Sequence, residues 1–456
     1  MPRIITIETP SLGDRSYLVH DGRTAFVVDP QRDIDRVLDV ARDEGVTITH
    51  VFETHIHNDY VTGGLALARA TGASYLVNAE DQVAFERTPI RDGDTIEVTQ
   101  SLSVRAIATP GHTFTHLSYA LEESGQSVGV FTGGSLLFGT TGRPDLLGPE
   151  HTDTLVHHQY ASAHRLADEL PDDASVLPTH GFGSFCSAGS SGGGDSSTIG
   201  AEKKANAALT DAEEAWVADV LSALEDYPAY YVHMGPANAA GPGAPDLSEP
   251  RRADKAAIAR SLAAGEWVVD LRTRTAYAAG HVRGSLNIGL DGQFSTYLGW
   301  LIPWGTALTL LGESPEQVAE AQRELARIGI DELQGSATGK PEDWTDDALG
   351  AYERATFADL AQVRHHRPVA VLDVRRESEF EDAHIDGAVN IPIHELLARL
   401  DEAPTEETWV HCESGYRASI AASVLAAVGR HVVLVDDDFD EHAKEAALSL
   451  VEGVHA

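Results

Sequence analysis

The chain of 456 residues carries 71 acidic against 33 basic side chains, a net charge of −38, and so offers no phosphate-neutralising face for nucleic acid or an anionic membrane. Its length predicts two to four domains, and its two cysteines, Cys186 and Cys412, exclude a disulfide scaffold and point to a reducing, cytoplasmic compartment. The N-terminus does not read as a signal segment, and no apolar run nears the roughly 18 residues of a membrane span. From Ile4 the chain reads as short strands, Ile4 to Ile7, Tyr17 to His20 and Thr24 to Val28, with Asp21-Gly22 as a hairpin turn. Helical spacing over Ile34 to Glu44 stops near Gly45, and the β-branched run Val46 to Phe52 predicts a buried strand. Val61 to Ala70 reads as a helix, strands follow around Tyr75, Val104, Leu117 and Val128, and His151 to Leu170 reads as an amphipathic helix with His157, His158 and His164 solvated or capping. Ala212 to Leu224 predicts a helix with Asp211 as its N-cap. Gly241-Pro242-Gly243-Ala244-Pro245 reads as a linker.

Thr54-His55-Ile56-His57-Asn58-Asp59-Tyr60 directly follows the buried strand. If extension persists, His55, His57 and Asp59 share a face and converge. Imidazoles bind divalent transition metals as neutral donors, and a carboxylate offsets the charge. Two histidines at one strand end are more often surface or hydrogen-bonded residues, but the arrangement recurs twice. His112 in Thr109-Pro110-Gly111-His112-Thr113 and His180 in Pro178-Thr179-His180-Gly181 both follow apolar runs. Three strand ends carrying histidines point to one shared site. Ser187 to Ser197, rich in Ser and Gly, reads as a linker or an active-site loop just beyond it.

The C-terminal half contains an internal repeat. Asp270, Arg272, His281, Gly284 and Asn287 recur as Asp373, Arg375, His384, Gly387 and Asn390 at a constant offset, which predicts two copies of one small α/β domain. The second copy runs from the strand Thr408 to His411 into Cys412-Glu413-Ser414-Gly415-Tyr416-Arg417 and a helix over Ile420 to Val428. A thiol in a loop feeding a helix N-terminus faces unpaired N–H groups and the positive dipole end, both of which favour thiolate, and Arg417 adds charge. A buried inert cysteine is the weaker reading, because Glu413, Ser414 and Arg417 make the surroundings polar. The matching segment of the first copy, Ala307 to Glu313, has no cysteine and cannot carry the same covalent chemistry.

The pattern of His55, His57, Asp59, His112 and His180 resembles the metallo-β-lactamase fold, and the repeat resembles rhodanese domains. Their order, with Gly142 to Leu146, Ser197 to Gly200 and Tyr227 to Asn238, resembles the fused persulfide dioxygenase family and its glyoxalase II-like relatives. The resemblance implies an α/β chain: an N-terminal metallo-β-lactamase αβ/βα sandwich over residues 1–240, then two rhodanese-like domains over 250–347 and 352–456. It departs twice: Tyr60 stands where the family has His, and Gly134 stands where it has the Asp that bridges two metals or completes an iron triad with residues matching His55 and His112. The implied site therefore holds one divalent metal, Fe(II) or Zn(II), on His55, His57 and His112, with Asp59 and His180 as remnants of a second site. Tyr60 would hydrogen-bond a ligand, bind the metal weakly or fill space. Asp59 and Tyr60 join Cys412 and Arg417 as the catalytic candidates. The four residues between Cys412 and Arg417 resemble the loop of sulfurtransferases rather than the longer one of cysteine phosphatases, and Glu413 disfavours a dianionic donor. The expected activity is persulfide oxidation coupled to sulfur transfer through a Cys412 persulfide; the alternatives are a zinc thioester hydrolase and a metal-free scaffold for the rhodanese. The expected partner is a small-molecule thiol or persulfide, with no nucleic acid, no membrane, and a homodimer as the assembly to test. Cys186 reads as a pocket wall, with a sulfur-accepting thiol as the alternative.

Overall fold

The computed structural model describes residues 2–189 and 194–453, so positions 190–193 of the Ser/Gly-rich stretch lie outside the described residues. The chain divides into two compact units, Met1–Asp246 with Leu325–Gly329, and Leu247–Glu324 with Ile330–Ala456. Among the described residues no helix is long and apolar enough to cross a membrane.

The first unit holds two six-stranded sheets. One runs in sequence order through β1 (Arg3–Thr9), β2 (Asp14–His20), β3 (Thr24–Val28), β4 (Thr47–Phe52), β5 (Ser74–Asn78) and β6 (Thr88–Ile90). The other is formed by β7 (Thr95–Glu97), β8 (Leu102–Ala108), β9 (Leu117–Glu123), β10 (Gln126–Gly133), β11 (Ser175–Pro178) and β12 (Ser197–Thr198), again in order. Period-two alternation explains the layering. In β3, Phe26 and Val28 point into the layer between the sheets, while Ala25 and Val27 point outward onto the helices Asp35–Asp43 and Gly64–Thr71. In β9, Leu117, Tyr119 and Leu121 meet them from the opposite sheet, and Ala120 faces the helix Pro149–Glu169. Aromatic pairs close the middle layer, with Tyr17 and Phe131 at 5.3 Å and Phe52 and Tyr119 at 5.0 Å between ring centroids. Each fully buried ring or aliphatic side chain stabilises this layer by about 1.5–3 kcal/mol. The result is the expected αβ/βα sandwich. The helix expected from Ala212 spans Glu213–Ser222 with Ala212, not Asp211, at its N-cap. Asp211 instead ends the preceding helix and accepts a hydrogen bond from Thr210 Oγ1 at 2.9 Å.

The second unit holds two parallel sheets of matching topology. The first copy orders β13 (Trp267–Asp270), β14 (Leu286–Asn287), β15 (Leu308–Gly312) and β16 (Leu333–Thr338) as β14-β13-β15-β16. The second has β17 (Glu353–Ala355), β18 (Ala370–Asp373), β20 (Val389–Asn390), β21 (Thr408–His411) and β22 (Val432–Val435) in the order β17-β22-β21-β18-β20, with β19 (Ala383–Ile385) paired separately to β23 (Leu450–Glu452). The repeated residues build one network twice. Arg272 forks onto Asp270 and donates to Gly280 O at 2.8 Å, as Arg375 forks onto Asp373 and donates to Ala383 O at 2.7 Å. Asn287 bridges the Asp270 and Arg272 carbonyls, and Asn390 bridges those of Asp373 and Arg375. The repeat therefore encodes the scaffold beneath the loop, whether or not the loop carries a thiol.

Candidate metal centre and cysteine loop

Extension does not persist beyond Phe52: Glu53 to Tyr60 is irregular backbone, so strand alternation does not place His55, His57 and Asp59. Asp29, fully buried after β3, fixes this segment instead. Its carboxylate accepts from Thr54 N at 2.7 Å, Thr54 Oγ1 at 2.8 Å and Thr179 Oγ1 at 2.5 Å, tying the loops after β4 and β11 together. Burial favours the neutral carboxyl, but the His57 charge and these donors hold Asp29 below the usual carboxylate range.

Four imidazoles gather there, all buried. The His55 ring centroid lies 4.1 Å from that of His57, 4.8 Å from His112 and 5.4 Å from His180. The outer nitrogens assign the tautomers. Thr54 Oγ1 already donates to Asp29, so at 2.9 Å it accepts from His55 Nδ1–H. His112 Nδ1 donates to Arg143 O at 2.9 Å, and His180 Nδ1 donates to Asp14 Oδ1 at 2.9 Å with Asp59 Oδ2 at 3.1 Å. All three Nε2 atoms are left to the interior; those of His55 and His180 stand 3.4 Å apart. One donor atom from each of His55, His112 and His180 lies within 4.8 Å of the others, and His57, Asp59 and His180 form a second such group. His180, expected as a remnant, is the member common to both. His57 is reversed: its Nε2 faces Tyr60 Oη at 3.0 Å and Asp29 and Glu53 at 3.3 Å each, and its Nδ1 is buried with no hydrogen-bond partner.

Tyr60 thus stacks on His57 at 4.3 Å and hydrogen-bonds its outer nitrogen. At Gly134 a Cβ would stand 2.3 Å from His112 Cδ2, so the His112 ring fills the space an Asp side chain needs. His116, not singled out by the sequence, stacks on His55 at 4.9 Å and accepts the Gly134 N–H at 3.0 Å. Asp14, Asp29 and Glu53 were equally invisible as site residues, because their roles depend on partners far along the chain. Cys186 is buried beside Tyr231, whose hydroxyl is 4.0 Å from its sulfur, and burial pushes the thiol up.

Burial and neighbouring imidazoles push His55 well down, and burial with His180 takes His112 to about 3. Burial works against the imidazolium at His57 too, but Asp29 and Glu53 hold it up at about 9. Asp59 and Asp14 raise His180 against the same penalty. The donor set fits a divalent transition metal. His57 Nδ1 and His112 Nε2 are buried without a protein partner, a deficit of about 1–3 kcal/mol each that coordination removes. The other nitrogens are anchored as in oriented metal ligands, and the Asp59 carboxylate, held down against burial by His180, offsets cationic charge.

In the second unit, Cys412 directly follows β21 and is buried, and Gly415 N donates to its sulfur at 3.2 Å as the loop enters the helix Tyr416–Ala427. Gly415 sits at φ 92°, a left-handed conformation that favours glycine. Arg417 does not stand free beside the thiol: both its terminal nitrogens pair with Glu379, at 2.5 and 2.7 Å. Burial and then Asp440 push the Glu413 carboxyl up. Strand register puts Leu311 opposite Asp270 and His411 opposite Asp373, so Gly312 occupies the place of Cys412. There Gln317 Oε1 accepts the Glu313 N–H at 2.7 Å, filling the loop with the protein's own side chain.

The profile of the metallo-beta-lactamase superfamily matches residues 14–180, and that of the rhodanese-like domain matches residues 356–445. A hydroxyacylglutathione hydrolase of Polaromonas sp. is 31% identical over 171 residues, 37% of this chain and 62% of that protein. The crystal structure of a metallo-beta-lactamase from Staphylococcus aureus is similar over 74% of this chain and 99% of its own, with 28% identity and a TM-score of 0.66. That of ETHE1 from Myxococcus xanthus covers 52% of this chain and 98% of its own, with 28% identity and a TM-score of 0.45. The chain spans about half the length of the curated relatives it matches. Fold, site geometry and profiles agree that this chain joins a metallo-β-lactamase superfamily domain in its N-terminal unit to a rhodanese-like domain over residues 356–445.

Proposed function

We propose that the chain is a sulfur-handling enzyme in which a mononuclear metal domain oxidises a low-molecular-weight persulfide and Cys412 carries sulfane sulfur. The observation that carries this reading is the Gly415 N–H aimed at the Cys412 sulfur at 3.2 Å, on a chain that also holds partnerless imidazole nitrogens in its first unit. In sulfur transfer the Cys412 thiolate attacks the outer sulfur of a donor R–S–S⁻. The donor S–S bond breaks, the thiolate RS⁻ leaves, and the new S–S bond holds the persulfide on Cys412 under the Gly415 N–H. Sulfite attacking the terminal sulfur then leaves as thiosulfate and returns the thiolate. The net oxidation, RSSH with O₂ and H₂O giving RSH and sulfite with its protons, would supply that acceptor.

His55, His112 and His180 are the proposed metal ligands, with His57 Nδ1 as a further donor and Asp59 beside them. Iron bound there would supply access to dioxygen, whereas zinc would supply Lewis acidity alone. The chain's own part is to aim Nε2 of these three residues inward through the anchors on Thr54, Arg143 O and Asp14, to keep those of His55 and His112 deprotonated by burial, and to exclude water. The hydroxyacylglutathione hydrolase relative favours a hydrolytic second reading, and oxygen uptake separates the two. Anaerobically purified protein with about one iron per chain should consume oxygen with glutathione persulfide. Zinc, thioester cleavage and no oxygen uptake would replace that half of the reading. Cys412→Ser should abolish sulfur transfer and leave metal content unchanged; full transferase turnover in that variant would sink the other half.

A further inference from the structure

The cysteine-free copy contributes a side chain to the loop that holds Cys412. Arg274 begins the helix Arg274–Ala279 of the first copy. Its Nε donates to Asp436 at 2.5 Å, just beyond β22 of the second copy, and its Nη2 reaches Ser414 O at 3.5 Å. Arg354 clamps the other oxygen of Asp436 at 2.7 Å, and Asp436 lies against Gly415, where an added Cβ would stand 2.4 Å from its Oδ1. Ser414 C=O and Gly415 N–H are the two ends of one peptide group. The guanidinium therefore holds the carbonyl end of the same peptide whose N–H end points at Cys412 Sγ.

A glycine at positive φ leaves that peptide free to rotate, and rotation would turn a carbonyl dipole toward the sulfur in place of an N–H. A cation on the carbonyl opposes the rotation and polarises the amide, strengthening its N–H as a donor to anionic sulfur. We infer that Arg274, from the copy without a nucleophile, is a positioning residue for Cys412: it locks the Ser414–Gly415 peptide in the orientation that stabilises the thiolate and the persulfide. The inference rests on the sulfur-transfer reading for its purpose and on the loop geometry for its content.

The test uses the full chain, with iodoacetamide as probe; both thiols are buried, so Cys412 is followed separately from Cys186 by peptide mass, and rates are compared between variants. Arg274→Ala should move the pH profile of alkylation to higher pH and slow the reaction at pH 7 about fivefold, of the order expected for losing one hydrogen bond of ordinary strength. Arg274→Lys, whose ammonium can still bond the carbonyl, should recover part of the rate, and Arg274→Gln should recover less. Ser423→Ala removes a different bond between the copies, Asn287 N to Ser423 Oγ at 2.9 Å, and should leave the profile where it was. An Arg274→Ala profile that superposes on the parent, or an equal shift from Ser423→Ala, overturns the inference. If Arg274→Ala fails to fold, the order of the Lys and Gln variants decides. Treatment of the parent with glutathione persulfide is read separately: absence of a sulfur adduct on Cys412 would remove the sulfur-transfer reading, while the alkylation profiles still decide the role of Arg274.

Discussion

An imidazole can offer either nitrogen, so the group that holds one of them decides which faces a metal. At His57 the outer nitrogen is shared by Tyr60, Asp29 and Glu53, and Nδ1 is left inward. Tyr60→Phe keeps the stacked ring and removes the hydroxyl, so folding should be preserved while metal affinity falls about tenfold, the lower end of what loss of an outer hydrogen bond produces. Chelator competition checks this, and an unchanged affinity would reduce Tyr60 to a packing residue. The same carboxylates hold the His57 imidazolium up at about 9, so before a metal binds, His57 is protonated throughout the neutral range. A metal must displace that proton, and affinity should rise about tenfold per pH unit for each proton lost up to about pH 9, then level off. Zinc affinities at pH 6.5, 7.5 and 8.5 test the sign; a flat profile would mean that neither His57 nor His180 yields a proton to the metal. The ligand candidates were legible because histidines at strand ends are conspicuous. Their convergence on one site was legible too, from the three strand ends; which nitrogen of each ring faces inward was not, because it depends on Asp14, Asp29 and the Arg143 carbonyl, which reach the site through the fold and leave no local spacing.

Strands and hairpins of the first unit were legible because one face of each strand must be apolar. The segment after β4 was misread because nothing local announces that Asp29, 25 residues upstream of Thr54, captures that residue's N–H and hydroxyl. The repeat in the second unit shows the opposite case: short-range pattern identified the copies, and only the structure shows what the pattern does. Arg272 neutralises a fully buried carboxylate at Asp270, as Arg375 does at Asp373. Removing either arginine strands that charge, a loss of about 3–5 kcal/mol. Arg272→Ala and Arg375→Ala should therefore destabilise their copies alike in urea, though only one copy carries the thiol. Lysine should rescue poorly at both, lacking the planar fork that meets carboxylate and carbonyl together. Stability loss at Arg375 alone would mean that the network serves the cysteine and not the scaffold.

At the scale of the whole molecule the dominant quantity is the net charge of −38. Even with every lysine and arginine paired, that excess of carboxylates remains to repel itself in the folded state, and chain expansion relieves the repulsion. Salt should offset it, because the screening length falls from about 10 Å at 0.1 M to about 3 Å at 1 M. Surface ion pairs such as Arg399 with Glu395 and Glu402 weaken over the same range, but each exposed pair contributes only about 0–1 kcal/mol. Repulsion among the many unpaired carboxylates should outweigh that loss. The first transition of a thermal scan is therefore expected to move upward by roughly 4–8 °C between 0.1 and 1 M NaCl, the shift that about 2 kcal/mol produces in domains of this size. Potassium chloride should act alike, since screening depends on ionic strength and not on the cation. A transition that falls with salt would mean that ion pairs such as these, and not the unpaired carboxylates, dominate the electrostatics of the folded chain.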